Sequence, residues 1–292
     1  MCRLLGYFGA PIQLGQILAE PKHSLIVQSY QPQEMTAGLL NADGFGIGWY
    51  HVDRSNQIYQ SNQAGQSGQA GQLDRLERSD SNQLAIEPFR YRNTLPIWSD
   101  VNLPHLNRYV KSDCILANVR SATPGLAVDL ANCQPFCFGQ ITAIHNGYIE
   151  NFRQSLYRPI RDHLDDEFYT SIDGHTDSEH IFALLLNNLK RTEADLTQAV
   201  EKTLMQVLAW AKQSSVSASL NMVIGDGDKL VACRSATNSP APSLYWLKDS
   251  DRFPGAVIVA SEPMFDDFGW ATFPEHSILT VQANLDLDVY LY

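Results

Sequence analysis

The chain has 292 residues, 44% of them hydrophobic and 18% charged, the composition of a globular protein able to bury a sizeable core. Its net charge of −11, from 21 basic and 32 acidic residues without a basic block, argues against a nucleic-acid surface, which needs clustered Lys and Arg. No apolar run approaches the roughly 20 residues of a membrane span, and no basic region followed by an apolar block opens the chain, so neither membrane insertion nor secretion is expected.

Five cysteines without a regular framework fit reduced thiols in a cytoplasm. Cys133 and Cys137 are close in sequence, but no second pair or His cluster completes a zinc site, and no metal or organic cofactor is expected.

The chain opens Met1-Cys2-Arg3-Leu4-Leu5-Gly6-Tyr7, and Cys2 to Phe8 reads as a short strand ended by Gly9-Ala10-Pro11. Cysteine is small enough for an initiator methionine ahead of it to be trimmed. Cys2 would then carry a thiol and a free α-amine on one residue. With a reference pKa of about 7.7–8.0, that amine could activate its own side chain, as in N-terminal threonine nucleophiles. The alternative is that Cys2 is simply the small apolar start of a buried strand.

A short helix or turn is expected at Leu14 to Leu18, and Leu25 to Tyr30 is either extended or helical. In Asn41 to Tyr50, glycines at alternate positions (Gly44, Gly46, Gly48) among apolar and aromatic residues predict a strand closely approached by other backbone. It is expected to pack the first strand and shape a pocket beside Cys2. The glycine spacing does not fit a phosphate loop, and no Lys-Ser/Thr follows. Residues 57–83, rich in Gln and Gly, read as a flexible surface insertion within a single domain spanning 1–292. Leu95 to Asp100 is followed by a short helix ending near Val110.

Cys114 to Val119 predicts a buried strand that exits into Arg120-Ser121-Ala122-Thr123-Pro124-Gly125. An arginine there is either a surface residue at a strand end or a planar fork for a carboxylate. Phe136 to Gly139 and Ile141 to Ile144 are the next strands, and the second runs into His145-Asn146-Gly147. Asn-Gly is a common turn dipeptide, yet an amide donor beside a glycine N–H could also form an oxyanion hole. His145 should face away from its neighbour Asn146 and be structural.

Asn151 to His163 and Ser178 to Leu189 read as helices, with Asp177 as a candidate N-cap that could also face a substrate ammonium. Thr192 to Lys212 has apolar residues at helical spacing, including Leu196, Val200, Leu204 and Val207. The last third is β-rich: strands over Val216 to Ile224 and Leu230 to Cys233 flank the hairpin signal Gly225-Asp226-Gly227-Asp228. Further strands are expected at Leu244 to Leu247, Ala256 to Ala260, Ile278 to Val281 and Val289 to Tyr292. Strands, a block of helices, then strands predict two sheets with helices outside them, in one α+β domain.

Cys2, Arg120-Ser121-Ala122-Thr123, His145-Asn146-Gly147 and Asp177-Ser178-Glu179, in that order, resemble the class II glutamine amidotransferases, a branch of the N-terminal-nucleophile hydrolases. Met1 to Ala10, Val27 to Tyr30, Asn41 to Gly48, Pro96-Ile97-Trp98, Ala260 to Pro263 and Gly269-Trp270 are similar to one subgroup, the γ-glutamyl hydrolases of ergothioneine biosynthesis (EgtC). The resemblance implies a four-layer αββα sandwich. It implies Cys2 as nucleophile with its α-amine as base, and Asn146 and the Gly147 N–H as oxyanion donors. Arg120 and Thr123 would bind the substrate α-carboxylate and Asp177 its α-ammonium.

The implied reaction is γ-glutamyl amide hydrolysis, releasing glutamate from a γ-glutamyl-hercynylcysteine sulfoxide. One departure, Gly174-His175-Thr176-Asp177-Ser178-Glu179, is closer to general glutaminases and glutathione-degrading relatives, and leaves the amine half of the substrate open. The alternatives are therefore an ammonia-supplying glutaminase with a separate synthase partner, or a γ-glutamyl peptide hydrolase of glutathione-type degradation. With no acceptor domain after Tyr292, a hydrolase working alone is the expectation. Its partner is a γ-glutamyl small molecule, and homo-oligomerisation is compatible with the family.

Overall fold

A computed structural model describes residues 2–35, 38, 40–51, 87–122, 128–192, 195–238 and 240–292. The Gln- and Gly-rich stretch 57–83 lies outside them.

Thirteen strands form among these residues, in two antiparallel sheets. The first sheet contains β1 (Arg3–Gln13), β2 (Phe45–Trp49), β3 (Phe89–Asn93), β4 (Lys111–Val119), β9 (Tyr245–Lys248), β10 (Ala256–Ala260) and β11 (Ala271–Thr272), in the order β11-β9-β10-β1-β4-β2-β3. The second contains β5 (Phe136–Phe138), β6 (Ile141–Ile149), β7 (Ala218–Gly225), β8 (Leu230–Ala236), β12 (Ser277–Val281) and β13 (Leu287–Leu291), in the order β13-β12-β8-β7-β6-β5. Helices α1 (Leu14–Leu18), α2 (Leu25–Tyr30) and α3 (Leu103–Tyr109) belong to the first half. Helices α4 (Tyr157–His163), α5 (Asp166–Thr170), α6 (Asp177–Thr192) and α7 (Leu196–Gln213) follow β6.

Three apolar layers show how the sheets stack. Leu5, Tyr7, Ile115, Ala117 and Ile258 pack outward against Leu14, Ile17, Leu18 and Leu25 of the first helices. Their strand neighbours Leu4, Phe8, Leu116, Val257 and Val259 turn inward and meet Ile144, Val223, Leu230, Ala232 and Leu279 of the second sheet. On the far side, Leu220, Met222, Ile224 and Val231 pack against Ile181, Leu184, Val200, Leu204 and Val207 of α6 and α7. The central strands are covered on both faces, so they are apolar at successive positions instead of alternating with polar residues. The result is the expected α+β, four-layer αββα sandwich. Among the described residues no helix is long and apolar enough to cross a membrane.

Several expectations shift in detail. β1 does not stop at Gly9: it continues to Gln13 through a register break between Phe8 and Ile12 in its pairing with β4. A Cβ on Gly9 would lie 2.4 Å from the Gly255 carbonyl, so glycine here permits close passage of β10. The alternating glycines of 44–48 do receive other backbone: a Cβ on Gly46 would lie 2.0 Å from the Gln134 carbonyl. Yet β2 pairs with β4 and β3, so β4 separates it from the first strand that it was expected to pack. Helix α4 begins only at Tyr157, since Asn151 takes a left-handed φ of 50° and residues 151–156 form turns.

Candidate functional site

The register of β1 against β4 pairs Arg3 with Val119 and so brings Cys2 beside the strand exit at Arg120. The Cys2 thiol points toward the Ser121 carbonyl, at 3.9 Å. Arg120 is 4% exposed and is gripped by the turn that opens β2. Its N–H donates to the Gly44 carbonyl at 2.8 Å, its carbonyl accepts from Asp43 N–H at 3.0 Å, and its Nη1 donates to the Asp43 carbonyl at 3.2 Å. The Asp43 carboxylate in turn accepts the Ala122 N–H at 2.8 Å, which pins the chain just beyond Arg120. Thr123 lies outside the described residues.

Asn146 and Gly147 sit within β6, not in a turn, paired with Asn221 and Leu220 of β7. Asn146 is fully buried, and neither polar atom of its side chain has a partner. A Cβ on Gly147 would lie 1.9 Å from the Ser219 carbonyl, so only glycine fits.

His145 faces the opposite way, as its alternation with Asn146 requires. Its ring bonds the Ser178 hydroxyl at 2.8 Å and the Ser219 carbonyl at 3.2 Å. Burial holds its pKa below the ordinary histidine value, although the nearby Asp177 charge and the Ser219 carbonyl pull it upward.

The two halves are joined by residues 132–135, which sequence reasoning missed. The Gln134 side chain pairs with the His145 backbone as a strand would, donating to its carbonyl at 2.9 Å and accepting its N–H. The Gln134 carbonyl rests on Gly46 of the opposite sheet. Asn132 accepts the His175 N–H at 3.0 Å, anchoring the entrance to α6. Buried Cys133 lies within electrostatic reach of Arg120, Arg92 and Cys2, and burial raises its thiol pKa. No disulfide links the five cysteines, and the described residues hold no group of three His, Cys, Asp or Glu side chains placed for a metal ion.

Asp177 is not the N-cap of α6. Thr176 caps it, its hydroxyl accepting the Glu179 N–H at 3.2 Å. Asp177 instead accepts the Ile149 N–H at 2.7 Å and its neighbour Ser178 N–H at 2.7 Å, which ties the helix start to the end of β6. Glu179 accepts the N–H groups of Asp173 and Gly174, at 3.0 and 2.7 Å.

Behind Cys2 lies a buried ion cluster. Arg3 Nε is 3.0 Å from Glu262 Oε1, with the two side chains 0% and 1% exposed. The pair meets at ion-pair distance without hydrogen-bond alignment, and Arg3 Nη1 and Nη2 also meet no acceptor. Glu262 further binds the His23 ring at 2.7 Å and the N–H groups of Gln33 and Glu34 at 2.8 and 3.1 Å. Burial alone would raise its pKa, but these donors and the Arg3 charge outweigh that effect and hold it below the ordinary carboxylate value.

Stability from a depressed carboxylate is present above its unfolded pKa and is lost as pH falls through the folded one. Glu262→Gln is expected to lower stability at neutral pH by about 3–5 kcal/mol, because it leaves Arg3 buried and uncompensated. In urea titrations across pH, the difference from the wild type should shrink below the ordinary glutamate value of 4.5. A constant difference down to strongly acid pH would show that Glu262 carries no such charge.

Comparisons with known proteins agree with this architecture. The family model described as class II glutamine amidotransferases matches residues 102–248, a span that contains Arg120, Asn146, Gly147 and Asp177 and begins after Cys2. A probable glutamine amidotransferase, DUG3, of Saccharomyces cerevisiae is 29% identical over 97% of this chain and 82% of its own. A γ-glutamyl-hercynylcysteine sulfoxide hydrolase of Mycobacterium tuberculosis is 27% identical over 96% of this chain and 93% of its own.

Among solved structures, a glutamine aminotransferase class-II domain protein from Silicibacter pomeroyi shares the fold with a TM-score of 0.65, at 23% identity and 99% coverage of both chains. The glutamine phosphoribosylpyrophosphate amidotransferase of B. subtilis matches with a TM-score of 0.61 at 15% identity, over 99% of this chain and 49% of that one. Sequence family and sandwich architecture together make this chain a member of the class II glutamine amidotransferases, enzymes that hydrolyse a C–N amide bond.

Proposed function

We propose that the protein is a γ-glutamyl amide hydrolase whose nucleophile is the thiol of Cys2 after removal of Met1. The observation that supports this most directly is the convergence of the Cys2 thiol with the buried strand exit at Arg120. On the inner face of β6, with Ile144, is the buried amide of Asn146, which has no partner among the described protein atoms. In this reading the Cys2 α-amine takes the thiol proton as sulfur attacks the γ-carbonyl. Asn146 Nδ2 and the Gly147 N–H stabilise the tetrahedral oxyanion. Collapse, with the Cys2 ammonium passing that proton to the departing nitrogen, releases the amine and leaves a γ-glutamyl thioester beside a neutral α-amine; water then cleaves the thioester to glutamate. Arg120 and Thr123 hold the α-carboxylate, and Asp177 the α-ammonium. Five cysteines without a disulfide fit a cytoplasmic site of action.

For the amine half, the reading we favour is a hercynylcysteine sulfoxide, as in ergothioneine biosynthesis, because the relative of that name aligns over nearly the full length of both chains. A second reading, hydrolysis of γ-glutamyl peptides of the glutathione type, is favoured by the sequence Gly174 to Glu179. Steady-state kinetics with γ-glutamyl-hercynylcysteine sulfoxide, glutathione and glutamine discriminate among the readings. The sulfoxide is expected to have the highest kcat/KM. Preference for glutathione selects the second reading. Preference for glutamine overturns both in favour of an ammonia-supplying glutaminase working with a separate synthase.

A further inference from the structure

Buried side-chain polar atoms without a partner are uncommon in folded proteins, and a cluster of them calls for an explanation. Six such atoms lie on three neighbouring strands, β4, β6 and β7: both polar atoms of Asn118, both of Asn146, Asn221 Oδ1 and Ser219 Oγ. All four residues are at most 4% exposed.

Their common location follows from strand alternation. Cys114 and Leu116 lie on the inner face of β4, so Asn118, two residues further on, also points between the sheets. In β7, Leu220, Met222 and Ile224 face the helices, leaving Ser219, Asn221 and Val223 to face inward. Ile144 faces inward in β6, and Asn146 with it.

The two sheets can also be aligned along their length. A Cβ on Gly6 would meet Val223 Cγ1 at 2.8 Å, and one on Gly225 would meet Cys114 Sγ and Leu116 Cδ1 at 3.4 Å. Two residues further toward Cys2, Asn118 and its partner Leu4 therefore come level with Asn221 and its partner Asn146. Asn118 also lies diagonal to Cys2 on the inner face of the β1–β4 pair, a spacing of about 7–8 Å between the residues and somewhat less between their Cβ atoms. The inter-sheet layer is apolar over most of its extent and becomes polar at the end that holds Cys2.

We propose that Asn118 is a further residue of the site, a water-positioning residue that, with Asn221 Oδ1 and Ser219 Oγ, holds the water that cleaves the γ-glutamyl thioester. The proposal rests on the thioester reading above. A buried water makes about three hydrogen bonds; Asn118 can both donate and accept, the Asn221 oxygen accepts, and the Ser219 hydroxyl does either. The diagonal spacing is too long for direct contact between Asn118 and the Cys2 amine, and suits one bridging water. In the step itself, the water oxygen bonds to the thioester carbon while its proton passes to the Cys2 α-amine. The tetrahedral intermediate then breaks its C–S bond, and the ammonium returns the proton to the departing thiolate. Glutamate leaves, and thiol and amine are restored.

Asn118→Leu keeps the branched outline with somewhat bulkier methyl groups and removes every side-chain hydrogen-bonding atom, whereas Asn118→Ser is smaller and still binds a water. Each is compared with the wild type using γ-glutamyl-para-nitroanilide, following the nitroaniline burst, glutamate release and the intact mass of the quenched protein. In Asn118→Leu, the burst should persist and glutamate release should slow by at least about tenfold. The γ-glutamyl adduct on Cys2 should accumulate, and hydroxylamine should restore turnover as γ-glutamyl hydroxamate. Asn118→Ser should fall between. Equal slowing of burst and glutamate release in both variants, or no adduct accumulation in either, overturns the role of Asn118 while leaving the thioester reading intact. Absence of any Cys2 adduct and burst from the wild type overturns the thioester reading, and this proposal with it.

Discussion

Cys2→Ala is expected to lower γ-glutamyl amide hydrolysis by at least about 10³-fold, because a covalent nucleophile cannot be replaced by its neighbours. Its fold should persist. Among the described residues the half-buried thiol makes one long hydrogen bond, 3.9 Å to the Ser121 carbonyl, and it lies at the end of a strand whose core residues are unchanged. The thermal midpoint should therefore move little while activity disappears. Cys114→Ala is the converse control: Cys114 is fully buried between the sheets, so its loss should cost stability and leave the chemistry in place. Equal activity in the two variants would remove Cys2 from the mechanism.

The same mechanism requires the α-amine. Intact mass should show Met1 removed, and a chain that keeps it should be as inert as Cys2→Ala. Because the base must be unprotonated, kcat/KM should rise with pH through the amine's range of about 7.7–8.0. A profile that is flat there would assign the base elsewhere.

Much of this arrangement was legible in the sequence, because its signals were local. The apolar run from Cys114 to Val119 reported a doubly covered strand, and Arg120 at its exit is held at the chain level by Asp43 and Gly44. The glycines at 44, 46 and 48 reported close approach by backbone without saying by which segment. At Gly46 that segment is Gln134 and at Gly44 it is Asn93–Thr94, while Gly48 meets the Pro135 side chain; no local pattern reveals that a Gln134 side chain completes the edge of β6.

Local patterns also misled. Asn146-Gly147 reads as a turn by composition, yet both residues pair within β6. Asp177 is a good capping residue by type, but Thr176 precedes it with Glu179 at the spacing of a capping box. Thr176 takes the cap and leaves Asp177 to bind the end of β6. Asn118 left the faintest trace, a single polar residue inside an apolar strand. Its lack of a partner appears only when the second sheet is laid over the first.

Asn146→Ala is expected to lower kcat by about 10²–10³-fold with little change in KM, the signature of losing a donor that acts on charge developing in the transition state. Its effect on stability should be the opposite of what its burial suggests. A fully buried asparagine normally loses several hydrogen bonds on truncation, and the partners left behind then carry the cost. Here neither Oδ1 nor Nδ2 has a partner among the described protein atoms, so truncation removes two buried polar atoms and strands no protein group. Against this stands only the packing lost around a short side chain, so the net change should stay within about 1 kcal/mol of the wild type.

Gly147 does not permit the same test. A Cβ 1.9 Å from the Ser219 carbonyl would force β6 away from β7, and lost activity would then report lost structure. Asn146→Asp separates donor from shape: it keeps the outline and the acceptor oxygen but replaces the N–H donor with negative charge. It should lose at least as much kcat as the alanine variant. If either variant retains wild-type kcat, the oxyanion is stabilised elsewhere. A loss of more than about 3 kcal/mol in Asn146→Ala would mean that the amide has a structural partner.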